Sequence, residues 1–79
     1  MKNNNNYSIS SDVIKILTTE RKRKHISQNK IYTDTGINIG RIERFKPDIT
    51  ILTLQRLCEN IRIPISKVFL AIEKKGIGK

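Results

Sequence analysis

The stretch Ser27–Arg44, SQNKIYTDTGINIGRIER, limits the folds open to this chain more than any other. It opens on a Ser that can cap a helix and carries Gln28 in the first helical turn. It then breaks at Asp34-Thr35-Gly36 and sets Ile39 and Ile42 three apart ahead of Glu43. That order predicts a helix, a tight turn and a second helix over about 27–44. Two such short amphipathic helices cannot bury their apolar sides alone, so the flanking segments must supply the other walls of a small core.

Both flanks carry helical spacing. Ser10 or Ser11 can cap a helix over 12–24, with Asp12 at the positive end of its dipole and Val13, Ile16 and Leu17 on one face. Arg21-Lys22-Arg23-Lys24 closes that helix with cations at the negative end of the dipole, and part of the run is also a candidate phosphate-facing surface. His25 follows as a cap or turn residue. After the central pair, Phe45-Lys46-Pro47-Asp48 reads as a loop, because Pro47 biases Lys46 away from helical angles. Thr50 then precedes a stripe of Ile51, Leu54, Leu57, Cys58 and Ile61, which predicts a helix over 51–61. Ile65, Val68, Phe69 and Ile72 predict a last helix over 65–74. The Asn-rich segment 1–10 reads as a flexible tail, 11–74 as one folded unit, and 75–79, with Gly76 and Gly78, as a flexible end. The expected class is all-α with five short helices.

Charge and the scarce reactive side chains bound the function. Sixteen Lys and Arg against seven Asp and Glu leave a formal net charge of +9, so polyanions are the natural partners. No apolar run approaches the roughly 20 residues needed to span a bilayer. One Cys and one His allow neither an intrachain disulfide nor a Cys-rich zinc site, and no metal or cofactor is expected. The same scarcity, with scattered carboxylates, offers no nucleophile, base and orienting group for an enzyme. The N-terminus has a positive start without an apolar run behind it, so it does not read as a secretory signal and a cytoplasmic location is expected.

Taken in order, Arg21, Ile26-Ser27-Gln28, Ile39-x-x-Ile42-Glu43-Arg44, Ile51-x-x-Leu54-x-x-Leu57-Cys58 and Ile63-x-Ile65-x-x-Val68-Phe69 resemble the lambda-repressor-like helix-turn-helix proteins, the XRE or Cro and phage-repressor type. The resemblance implies that Gln28 contacts a DNA phosphate and that the third helix enters the major groove. It implies backbone contacts from Arg44 and Lys46 and a structural ion pair between Arg21 and Glu43. The positions it turns toward bases hold Gly36, Ile37, Asn38 and Gly40, where many relatives carry Gln, Arg or Ser. Asn38 and Arg41 remain as polar readers, of adenine and guanine respectively. Gly40 would allow close approach, either to DNA or to the second helix.

Two departures stand out. The interval from Gln28 to Glu43 is about three residues shorter than the usual family spacing, close to one helical turn, so the turn or the start of the third helix is trimmed. Phe45 stands where a Gly usually follows the third helix, which implies a different helix exit or an aromatic added to the core. By this resemblance the chain is expected to be a sequence-specific double-stranded DNA-binding transcriptional regulator, a repressor acting by operator occupancy. It would be a homodimer through the fifth helix, with Leu70 as outward contact. The alternative is an antitoxin or adaptor-type module whose partner is a toxin or another regulatory protein.

Overall fold

In the computed structural model, which describes residues 9–74, the chain forms α1 Ile9–Arg23, α2 Gln28–Thr35, α3 Ile39–Phe45, α4 Ile51–Ile61 and α5 Ile65–Lys74. No strand occurs among the described residues, and the class is all-α. Of the flexible-end readings, 75–79 and the first eight residues of the tail expected over 1–10 fall outside the described residues, while Ile9 and Ser10 of that tail lie in α1.

Local chemistry sets most helix ends. Ser27 and Thr50 cap α2 and α4, each hydroxyl oxygen accepting from the amide three residues on, at 3.0 Å from Lys30 and 3.1 Å from Thr53. α2 stops at Gly36, whose φ of +77° suits a residue without a Cβ and whose N–H donates to Tyr32 O. Thr35 Oγ1 then donates to Ile31 O at 2.7 Å and accepts from Ile37 N at 3.0 Å, which fixes the turn into α3. α1, α3 and α4 leave through left-handed residues that are not glycine, namely His25, Lys46 and Arg62. Each such residue costs about 1–2 kcal/mol of backbone strain. At Arg62 the exit is further held by Lys24, whose Nζ donates to Ile61 O at 2.9 Å and Arg62 O at 2.6 Å.

The core sits where α1 packs on α3, α4 and α5. α1 supplies Val13, Ile14 and Leu17, α4 supplies Leu54, Leu57, Cys58 and Ile61, and α5 supplies Val68 and Ile72. α2 and α3 each add one fully buried side chain, Ile31 and Ile39. The Cys58 thiol is pushed up by burial, as befits a small apolar packing residue.

Several sequence expectations are corrected. α1 begins at Ile9, so Ser10 and Ser11 lie inside the helix and do not cap it. Ser10 Oγ instead accepts from Ile49 N at 3.4 Å, joining α1 to the loop before α4. Ile14 is buried and Ile16 half-buried, because the buried face of α1 is rotated slightly from the expected stripe. Ile51 and Phe69 are exposed, since helices this short find a packing partner for part of their apolar side only. Phe45 is 63% exposed and lies outside the core, and the exit from α3 is made by Lys46.

Candidate nucleic-acid interface

α1, α2 and α3 meet at one carboxylate. Arg21 Nε donates to Glu43 Oε2 at 2.7 Å and its Nη2 to Oε1 at 3.0 Å, a bidentate pair whose side chains are 9% and 10% exposed. Arg21 Nη1 donates to Ile26 O at 2.8 Å, so the same guanidinium ties down the chain entering α2. Gln28 Nε2 donates to Glu43 Oε1 at 2.8 Å, and Thr18 adds a further hydrogen bond. Burial pushes the Glu43 carboxyl up, but its hydrogen bonds with Arg21 and Gln28 outweigh that, and the net shift is downward. The ion pair that the resemblance implied is therefore present.

Gly40 lies in the first turn of α3, and its surroundings explain the missing side chain. A Cβ there would stand 2.9 Å from Gln28 Oε1 and 3.5 Å from Asn38 Oδ1. Of the two close approaches open to it, the one to α2 is realised. Asn38 caps α3, its Oδ1 accepting from Arg41 N at 3.0 Å, so that oxygen is already committed and the amide nitrogen is the freer edge. Arg41 itself is exposed.

Two hollows flank this junction. The larger, an open groove of about 580 Å³ between α1 and α3, is lined by Lys15, Thr18, Thr19, Lys22, Gln28, Gly40, Glu43, Arg44 and Lys46. Four cations face it against one carboxylate that Arg21 already neutralises, so its field is positive. Lys46 Nζ donates to Glu43 O at 2.9 Å, closing the end of α3, and the Arg44 guanidinium sits 5.1 Å from the Phe45 ring centroid. The smaller hollow, about 310 Å³, is lined by Gln28, Asn29, Tyr32, Asn38 and Gly40. Gln28 and Gly40 form the wall common to both.

The structure thus brings Gln28, Gly40, Arg44 and Lys46 together, places Asn38 beside them, and leaves Arg41 outside both linings. Sequence reasoning missed Lys15, Asn29 and Tyr32. Lys15, Thr18, Thr19 and Lys22 fall at i, i+3, i+4 and i+7, a polar stripe that the search for apolar periodicity passed over. No cluster of three or more His, Cys, Asp and Glu suited to a metal occurs among the described residues. No described helix is long and apolar enough to cross a membrane. Comparison with protein-family models, curated proteins and solved structures finds no match.

Proposed function

We propose that this protein is a sequence-specific double-stranded DNA-binding transcriptional regulator, a cytoplasmic repressor acting by operator occupancy, with α2 and α3 as its helix-turn-helix. The observation that carries the reading is the cationic groove lying directly against that helix pair. A DNA strand bound there neutralises its phosphates on Lys15, Lys22, Arg44 and Lys46, while Gln28 offers its second amide N–H as a neutral donor. The turn between α2 and α3 has the ordinary length and glycine of this motif, about 3–4 residues. The shortening against the family spacing then falls on α3, which has 7 residues.

Counterion release provides the test. Log affinity for duplex DNA should fall with log salt at about −0.9 per phosphate contact. Arg44→Ala and Lys46→Ala should each weaken all sequences alike and flatten the slope by about 0.9. Unaltered slopes would take both cations off the phosphate path, and no retention of the wild type on duplex DNA at low salt would sink the reading.

The regulator acts as a homodimer through α5, whose Phe69 and Leu70 are 41% and 55% exposed. Two-fold pairing supplies the second half-site that one helix pair cannot cover. Sedimentation at micromolar concentration should return twice the chain mass, and Leu70→Lys should return the chain mass alone. A monomer in the wild type, with and without DNA, would remove the dimer.

A second reading, an antitoxin or adaptor-type module bound to a toxin or another regulatory protein, draws on Phe45, Ile51 and Leu52. These large apolar side chains are exposed at the end of α3 and the start of α4. Retention on DNA that is lost at moderate salt whatever the sequence would favour it.

A further inference from the structure

α3 has few side chains to spend on bases. Ile39 is buried, Ile42 is packed against the core, Glu43 is held by Arg21, and Gly40 has no side chain. Asn38 has its oxygen in the cap of the helix. Arg41 and Arg44 of α3 are exposed but do not line the smaller hollow, whose polar side chains other than that of Asn38 come from α2. Asn29 and Tyr32 are three apart, hence on one face, and both line the smaller hollow over Gly40. Tyr32 is 56% exposed, Asn29 is exposed, and neither side chain makes a hydrogen bond with any described residue.

We propose that this hollow is a base-reading pocket and that Asn29 and Tyr32, on α2, are the main sequence-determining residues. This rests on the DNA-binding reading above and names where its specificity resides. The fit is to an A·T pair in the major groove. A carboxamide presents one acceptor and one donor, which match adenine N6 and N7, and the Asn29 side chain is uncommitted where that of Asn38 is not. The Tyr32 ring offers an apolar edge to the thymine methyl on the partner base. Gly40, with the Gln28 carboxamide packed against it where a side chain would otherwise stand, forms the floor of the hollow beneath Asn29 and Tyr32. The basic groove shares the Gln28–Gly40 wall, so a strand held there by its phosphates presents its neighbouring bases to the pocket.

The experiment selects preferred duplexes from a random pool with the wild type, Asn29→Ala, Tyr32→Ala and Arg41→Ala, then measures binding to the preferred site and to random duplex. Both α2 side chains are exposed, and matched thermal unfolding of the variants establishes that the fold is intact. Asn29→Ala should lose about 5- to 150-fold on the preferred site and little on random duplex, and its selected pool should lose one A·T position. Replacing the contacted thymine by deoxyuridine should weaken the wild type and leave Tyr32→Ala unaffected, because only the methyl is removed. If Asn29→Ala and Tyr32→Ala keep the full preference, or Arg41→Ala alone erases it, the readers lie on α3 and the inference falls while DNA binding stands. If the wild type retains no duplex at all, the inference falls together with the reading beneath it.

Discussion

Glu43→Ala is expected to lose about 3–5 kcal/mol of stability, the usual result of removing one partner from a buried ion pair. The loss comes from what remains. Arg21 would keep its guanidinium in a site where it is 9% exposed, with Ile26 O as its one remaining partner among the described residues. Gln28 would also lose its acceptor, so the entry to α2 is loosened from two sides. Against a total of about 5–15 kcal/mol for a domain, this is a large share. Urea unfolding should show a much lower midpoint at an unchanged slope. An unchanged midpoint would mean that the pair contributes nothing to the folded state.

The same carboxylate sets an acid limit. Its folded-state value is below the ordinary 4.5, so its contribution is fully present above that value and is lost as pH falls through the folded one. Stability of the wild type should therefore decline as the medium is acidified below about pH 4.5. Glu43→Gln, already lacking the titrating group, should decline less steeply over that interval. Parallel acid profiles would exclude Glu43 as a source of the dependence.

Ile31→Ala should be nearly as damaging, at about 2–5 kcal/mol, although it removes one side chain from a helix of 8 residues. Ile31 is fully buried and is the one buried side chain of α2, which otherwise meets α4 through the exposed contact of Asn60 Nδ2 with Asp34 Oδ2 at 3.2 Å. Emptying that place leaves a cavity and removes the anchor that holds Gln28, Asn29 and Tyr32 in position. Ile31→Val, which removes a single methylene, should cost about 0.5–1.5 kcal/mol. A graded pair of urea midpoints checks this. On the DNA-binding function proposed above, affinity should also fall with Ile31→Ala beyond what the unfolded fraction explains. Equal midpoints for the two variants would show that α2 is held by something other than Ile31.

The helices were legible in the sequence wherever a capping residue and an apolar stripe agreed. Thr50 with Leu54, Leu57, Cys58 and Ile61 delimits α4, and Ser27 with Gly36 delimits α2. The start of α1 was not, because Ser10 and Ser11 are equally good caps and equally able to lie within a helix. Spacing also counted Ile51 and Phe69 as core, since periodicity gives the direction of a side chain and not whether another element waits there. Arg21 and Glu43 are 22 residues apart, a separation no local pattern reports, and they were joined through family resemblance alone. Gly40 was noticed for its missing side chain, but the reason, the Gln28 amide lying against it, is a three-dimensional fact. Asn29 and Tyr32 left no signal at all, because polar residues on the outside of a short helix look like ordinary solvated surface.

Cys58 is the chain's single thiol, and it lies in the core on α4 with its ionisation suppressed by burial. A water-soluble thiol reagent therefore finds one target per molecule and reaches it when α4 separates from its neighbours. The rate of that labelling under native conditions reports how often the interior opens, with no engineered probe and no denaturant. Any ligand that binds the closed form and not the open one lowers the open population by the factor 1 + [L]/Kd. The interior of this molecule thus registers what its surface binds, through the reactivity of one sulfur atom.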